Sequence, residues 1–331
     1  MGKSQKESSN DILQIKDLKV HFPLKTSLKG KVIESVKAVD TVNLNIQKGE
    51  TLGIVGESGC GKSTLANTII QLIKPTTGKI IFAGDDLSKL KNKEIQKVRR
   101  NVQMIFQDPF SSLNPRMKVF DIIAEPLRTH KIAKGKKLHE EINKLIDIVG
   151  LNTSALKRYP HEFSGGQRQR IGIARALALK PQLIVCDEPV SALDVSIQAQ
   201  ILNLLAKLQE EFNLTYIFIG HGIPSVKYVS NRIAVMYRGE IIEEAITREL
   251  FDDTKHPYTK GLISAVPIPD PTLDRGEEIS IEKDVPDPLS LPKGCRFYSR
   301  CPFGTERCKV EKPELREIKE NHFVACHYPL E

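Results

Sequence analysis

Nine residues constrain this chain more than any others. They read GESGCGKST, from Gly56 to Thr64, and follow the apolar run Thr51 to Val55. A helical pattern, Leu65 to Leu72, comes next. Gly56, Gly61, Lys62 and Ser63 satisfy G-x-x-x-x-G-K-[ST]. A strand that turns sharply into a helix aims successive backbone N–H groups at one spot. Glycine permits the backbone angles this turn needs. The first turn of the helix adds its positive dipole end. Such a cradle suits a chain of phosphates: Lys62 reaches the β- and γ-phosphates, and the Ser63 hydroxyl ligates Mg²⁺. Glu57, Ser58, Gly59, Cys60 and Thr64 complete the predicted nucleotide-binding loop. A chance glycine-rich turn would lack the strand before it and the helix after it.

The rest of the chain supplies partners for such a loop. Ile12, Leu13, Ile15, Leu18 and Val20, then Val42, Leu44 and Ile46, recur at strand spacing. A basic loop with Gly30 separates the two groups. From about Lys89 to Lys180 the pattern is mostly helical and charged. A buried-strand run, Gln182 to Cys186, ends in Asp187-Glu188-Pro189, and another, Thr215 to Ile219, ends in Gly220-His221. A helical stretch, Gln198 to Phe212, lies between them. Short apolar strands alternating with helices predict an α/β fold with a parallel sheet. In such a sheet the strand C-termini converge on the ligand crevice. Asp187 is therefore placed to hold Mg²⁺, and Glu188 to polarise an attacking water as general base. His221 closes its strand in the same way and can bond the γ-phosphate or that water. Their blander alternatives are an acidic turn before Pro189 and a structural histidine.

Bulk properties exclude other classes. The 331 residues suit one core with one or two satellites. No window carries the roughly 18 apolar residues a membrane span needs. The polar start, MGKSQKESSN, has no apolar signal core, so a cytoplasmic location is expected. The net charge of +8 is spread over scattered lysines without interleaved aromatics, which argues against a nucleic-acid partner. Of six cysteines, Cys60 and Cys186 stand alone and read as a loop position and a small buried residue. Cys295, Cys301, Cys308 and Cys326 crowd the end of the chain with the spacing C-x5-C-x6-C-x17-C. That is not the paired CxxC of a zinc ribbon. Four thiolates can hold tetrahedral Zn²⁺ or a [4Fe–4S] cluster, or simply remain reduced. A metal would staple a proline-rich tail that has little core of its own. His322 and His327, beside Cys326, read as surface histidines rather than ligands.

Ser164-Gly165-Gly166-Gln167, followed by Arg168-Gln169-Arg170 and a helical run, resembles the signature of ABC-transporter ATPases. The order of phosphate loop, Gln107, SGGQ, Asp187-Glu188, SALD and His221 resembles their nucleotide-binding subunits over roughly residues 10 to 330. The usual leading Leu of the signature is Phe163 here. The resemblance implies a P-loop NTPase (RecA-like) core with an antiparallel β-subdomain, an inserted α-helical subdomain and a small Cys-rich C-terminal extension. It places the ATPase domain at residues 10–262, its helical part at about 108–180, and the extension at 263–331. It implies ATP and Mg²⁺ as cofactors, with Phe22 stacking on adenine and Gln107 approaching Mg²⁺. Ser164, Gly165, Gly166 and Gln167 would contact the γ-phosphate held by a second subunit, and Ser191 to Asp194 would cross the dimer interface.

FQDPFSSLNPRM, SALDVSIQAQILNLL and HPYTKGLISAVP resemble the oligopeptide/dipeptide importer branch, in its F-type ATPase subunit. That resemblance implies a motor for import of short peptides, located peripherally on the cytoplasmic face of the membrane. Its partners would be a second, related ATPase, two transmembrane permeases and an extracytoplasmic peptide-binding protein. A nickel-importing subgroup shares much of the pattern, and a soluble ABC ATPase outside transport is the contrasting reading. For the cysteine tail the resemblance favours the [4Fe–4S] cluster over zinc. One departure stands out: both neighbours of His221 are glycine, where relatives carry a small hydroxyl residue before and an Asp after. Slower hydrolysis is the expected consequence.

Overall fold

The computed structural model describes residues 10–26, 32–266 and 290–331. The polar start, the basic loop with Gly30, and Pro267, Pro269, Pro271, Pro286 and Pro288 of the proline-rich tail lie outside the described residues. In chain order the strands are β1 (Asp11–Thr26), β2 (Val32–Gln47), β3 (Thr51–Val55), β4 (Thr77–Phe82), β5 (Asp85–Asp86), β6 (Val102–Ile105), β7 (Leu183–Asp187), β8 (Thr215–Ile219), β9 (Arg232–Tyr237), β10 (Glu240–Ile246), β11 (Arg316–Lys319) and β12 (His322–Val324). The helices are α1 (Lys62–Ile69), α2 (Asn92–Asn101), α3 (Val119–Thr129), α4 (Gly135–Ile148), α5 (Gly165–Leu177), α6 (Val195–Phe212), α7 (Ile223–Val229), α8 (Thr247–Asp252), α9 (Pro257–Ser264) and α10 (Glu306–Val310). They form two compact units.

Among the described residues, the phosphate-loop unit comprises 13–26, 32–46, Leu52–Ser88, 221–266 and 290–331. All five residues of β3 are buried, as an apolar run flanked on both faces requires. β3 pairs parallel to β9, with Leu52 opposite Arg232 and Val55 opposite Val235. β9 returns as β10 through Arg238 and Gly239, whose φ angles of 43° and 90° make the left-handed two-residue turn that matches strand twist. β12 pairs antiparallel to β10, and β11 to β12. A second sheet runs in the order β2-β1-β4-β5. Its buried residues include Leu13, Ile15, Leu18, Val20, Val42, Leu44 and Ile46, the positions the alternation picks out. Each such side chain, fully buried, contributes about 1.5–3 kcal/mol.

Among the described residues, the signature unit comprises 10–12, Gln47–Thr51 and Lys89–Gly220. β6, β7 and β8 are parallel, with Ile105 opposite Cys186 and Asp187 opposite Ile219. α3, α4 and α5 pack on one another, and α6 packs on α5. The spacing explains the packing: α4 buries Leu138, Ile142, Leu145 and Ile146, one stripe of an amphipathic helix. β6 was not expected in the helical stretch. It is four residues long, and a run that short has no period to distinguish strand from helix. Among the described residues no helix is long and apolar enough to cross a membrane.

Candidate functional site

In the phosphate-loop unit the chain leaves β3 and winds through three glycines with left-handed φ: Gly56 at 154°, Gly59 at 78° and Gly61 at 111°. Two of them also lack room for a side chain. A Cβ on Gly56 would lie 2.1 Å from the Met236 carbonyl oxygen, and one on Gly61 would lie 2.0 Å from that of Ala38. The glycines are thus required both by angle and by close backbone packing. Gly61 caps α1 and Lys62 opens it. The Lys62 ammonium donates to the carbonyls of Gly56 (2.7 Å) and Glu57 (2.9 Å), so the loop curls around its own cation. The cation is buried within the loop. Burial pushes the Cys60 thiol up, against the pull of Lys62, so it stays a neutral, small side chain. Phe22, on β1, is 40% exposed.

Glu57, the second residue of the loop, is held from two sides. Its N–H donates to the hydroxyl of Tyr258 (2.9 Å), a fully buried residue of α9. Its carboxylate takes both arms of the Arg300 guanidinium, at 2.8 and 2.9 Å. Neither partner was legible beforehand. The stretch His256 to Gly261, HPYTKG, has a mechanical sense. His256 Nδ1 accepts the Tyr258 N–H (3.1 Å) and caps α9, Pro257 starts the helix, and Tyr258 props the phosphate loop.

The signature unit carries the other predicted groups. Gln107 donates from Nε2 to Glu188 Oε2 at 2.8 Å, which joins two of the predicted catalytic side chains. Asp187, at the end of β7, is buried. Glu188 has φ 46°, a left-handed turn that redirects the chain after the strand, and its N–H still bonds the Ile219 carbonyl of β8 (2.9 Å). Ser164 and Gln167 form a reciprocal cap at the start of α5: the Ser164 N–H donates to Gln167 Oε1 (3.1 Å) and the Gln167 N–H to Ser164 Oγ (3.4 Å). Gly165 and Gly166 face the SALD segment and α6. A Cβ on them would lie 3.1 Å from Leu193 and 2.4 Å from Ile197. Behind the signature, Arg168 donates to the Pro160 carbonyl (2.7 Å) and stacks 3.4 Å over the Phe110 ring. Arg175 donates to the Ser112 carbonyl (2.5 Å). Two arginines of the signature helix thus hold the loop that follows Gln107. His221 is exposed and precedes α7, whose cap is Gly222.

Residues 39–191 match the ABC transporter family, and residues 242–308 match the oligopeptide/dipeptide transporter C-terminal region. The chain is 52% identical over 321 residues to the oligopeptide transport ATP-binding protein AppF of Bacillus subtilis (strain 168), covering 96% of this chain and 97% of that protein. This chain is an ABC transporter ATPase. It is also 51% identical to the oligopeptide transport ATP-binding protein OppF of Salmonella typhimurium, with 97% of each chain covered. A solved dimer of the ATP-binding cassette MJ0796, in a post-hydrolysis state bound to ADP and Pi, superposes with a TM-score of 0.64 at 31% identity. It covers 71% of this chain and 99% of the cassette. The ABC ATPase fold is therefore shared, and ATP with Mg²⁺ follows from the family.

The extension of this ABC ATPase brings its four predicted ligands together. Cys295, Cys301, Cys308 and Cys326 line one cavity, with Phe297 and Tyr328 among its other walls. Burial, reinforced by neighbouring thiols, pushes Cys295 up to about 12 and Cys326 up to about 11. Among the described residues no three His, Cys, Asp or Glu side chains form a group that could hold a metal ion. The expectation that His322 is a surface residue is corrected. It is fully buried on β12 and bonds Glu243 at 2.9 Å. A polar residue in a three-residue strand could not announce that its partner lay 79 positions away.

Proposed function

We propose that this chain is the ATP-hydrolysing subunit of an importer for short peptides. The observation that carries the reading is likeness along nearly the whole chain, extension included, to oligopeptide transport ATP-binding proteins. The chain reads as an ATPase domain at 10–262, with a helical part at about 108–180, followed by the extension at 263–331.

The site residues take the following roles. The backbone N–H groups of Gly56 to Thr64 and the Lys62 ammonium hold the triphosphate, and Phe22 stacks on the adenine. Ser63, Asp187 and Gln107 offer the oxygen donors that Mg²⁺ prefers; Asp187 is buried, and a buried carboxylate gains most from a cation. Mg²⁺ bound there would neutralise charge developing on the phosphates. Glu188 accepts the proton of the attacking water, Gln107 orients Glu188, and His221 bonds the γ-phosphate or the water. Ser164, Gly165, Gly166 and Gln167 present a helix N-terminus to the γ-phosphate of a second, related ATPase subunit. The dimer of the related cassette with ADP and Pi supports such pairing. Two permeases and an extracytoplasmic peptide-binding protein complete the assembly, with this subunit peripheral on the cytoplasmic face.

The four cysteines are proposed to hold a [4Fe–4S] cluster. The support is that four thiols share one cavity, and four thiolates are the ligand set such a cluster takes. Burial raises the proton affinity of Cys295, Cys301 and Cys326, which a cationic centre would reverse. Anaerobically purified chain should be brown and contain iron and sulfide in equal amounts. Stoichiometric zinc without iron would overturn the assignment.

Affinity purification of the tagged chain from its native membranes tests the transport reading. Two permease-like proteins, a second ATPase and a peptide receptor should co-purify. Ribosomes or nucleic acid without membrane proteins would sink it.

A further inference from the structure

We infer that Arg300, in the cysteine-bearing extension, is a positioning residue of the nucleotide site. It neutralises and orients Glu57 within the phosphate loop and so raises affinity for a nucleoside triphosphate. The inference rests on reading GESGCGKST as the triphosphate site.

A carboxylate in this loop is at odds with the loop's task. The glycines, the helix start and Lys62 collect negative charge, and Glu57 adds one beside it. Like charges a few ångströms apart repel strongly wherever water is partly excluded. The fold answers with a fork. Arg300 engages both carboxylate oxygens, at 2.8 and 2.9 Å, and its side chain is only 5% exposed against 27% for Glu57. A planar guanidinium matched to a carboxylate fixes direction as well as charge, which an ammonium cannot do. A guanidinium stays charged at every relevant pH.

Arg300 is itself held. Its N–H donates to the Phe297 carbonyl (2.9 Å), and the Cys301 N–H donates to that of Tyr298 (3.2 Å), which makes a tight turn at Tyr298–Arg300. The Tyr237 hydroxyl lies 3.4 Å from the guanidinium. Four residues earlier Arg296 pairs with Asp40 and, at 2.9 Å, with Glu240. Two buried arginines thus fasten the extension to earlier segments of the phosphate-loop unit, one of them directly to the loop. An exposed ion pair would contribute little. Here removing one partner leaves a partly buried charge uncompensated, and beside a triphosphate that charge repels the ligand as well.

The test titrates the full-length chain and its variants with ATP and with ADP, by calorimetry in the presence of Mg²⁺. Arg300→Met keeps the length and apolar stem but removes the charge. Its ATP affinity should fall about five- to twenty-fold, and its ADP affinity less, because ADP brings less charge to the loop. The double variant Glu57→Gln with Arg300→Met removes the repelling carboxylate and should recover ATP affinity to within about threefold of the wild type. Arg300→Lys should fall between wild type and Arg300→Met. Wild-type affinity in Arg300→Met would overturn the inference. So would equal losses for ATP and ADP with no recovery in the double variant, which would mean that Arg300 only supports the fold. A wild-type chain that binds no ATP would sink the nucleotide reading itself, a result distinct from either.

Discussion

The side-chain amide of Gln107 donates to the carboxylate of Glu188 at 2.8 Å, across 81 positions of sequence. The bond uses one lone pair of Oε2 and leaves the rest of the carboxylate able to accept a proton. Glu188 is fixed from behind as well, because its carbonyl accepts from the Ser191 N–H (3.2 Å) and hydroxyl (3.1 Å). Its left-handed φ of 46° is unusual for a residue other than glycine, and such strain is held only where surroundings over-determine it. The proposed role of Glu188 as general base would gain from its being held this way.

Glu188→Gln keeps the size and a possible bond to Gln107 but removes the base. Phosphate release should drop by about 10²- to 10⁴-fold while ATP still binds. The check is a phosphate-release assay run beside an ATP titration. Hydrolysis within threefold of wild type would remove Glu188 from the role.

Gly61 and Gly59 both have left-handed φ but differ in surroundings. Gly61→Ala places a methyl 2.0 Å from a backbone oxygen, whereas nothing lies within 4 Å of a Cβ at Gly59. Gly59→Ala should cost only the local backbone penalty, about 1–2 kcal/mol. Gly61→Ala should cost more in thermal unfolding and abolish ATP binding, because the loop must shift. Equal effects of the two substitutions would contradict the packing argument.

Gly222 caps α7 with φ −79°, and a Cβ there would meet only Ser225 Oγ, at an ordinary 3.8 Å. An Asp therefore fits, and Asp is a better helix cap than glycine by a few tenths of a kcal/mol. If the two glycines loosen His221, Gly222→Asp should raise ATPase turnover of the assembled complex. No gain in rate would count against the idea.

Glu243 sits fully buried on β10 and accepts from the Lys255 N–H (2.7 Å), the His256 N–H (3.0 Å) and His322 (2.9 Å). The two histidines titrate in opposite senses. Burial pushes His256 down to about 4, outweighing the pull of Glu243. Burial also opposes charge on His322, but the bond and charge of Glu243, with Glu249 beyond, raise it above its ordinary value. The His322 contribution is complete below pH 6.5 and lost as pH rises through its raised value. The His256 contribution, on the order of 3 kcal/mol for a lowering from 6.5 to about 4, is present above pH 6.5 and lost as pH falls toward 4. Melting temperature should therefore peak near pH 6.5. Glu243→Gln should cost about 3–5 kcal/mol and make the alkaline side of the profile shallower, since only Glu249 then raises His322. An unchanged profile would reject the assignment.

The sequence made the short-range part of this molecule readable. Local pattern picks out the buried faces of β1 and β2 and the phosphate loop between β3 and α1, because each is written within a few residues. Tyr258 and Arg300 reach Glu57 from 201 and 243 positions away. A contact of that range leaves no period in the chain, and neither residue type announces a phosphate site. Likewise, four cysteines with irregular spacing signal chemistry, but their shared cavity emerges only once Cys295 to Cys308 fold back on Cys326. The left-handed Glu188 was invisible for a simpler reason, since nothing in a glutamate marks its backbone angle.

The last two strands have a consequence for the chain's solubility. Without β12, β10 would present a bare row of backbone donors and acceptors, flanked by buried Ile241, Ile242 and Ala245. That is a template on which another chain could build. β12 caps it, and β11 becomes the rim: Arg-Glu-Ile-Lys, four residues long and mostly exposed. A short, charged rim repels a stranger's strand. Cutting the chain after α9 would therefore remove more than a cysteine pocket. It would strip the guard from a sheet and turn a quiet border into a seed for aggregation.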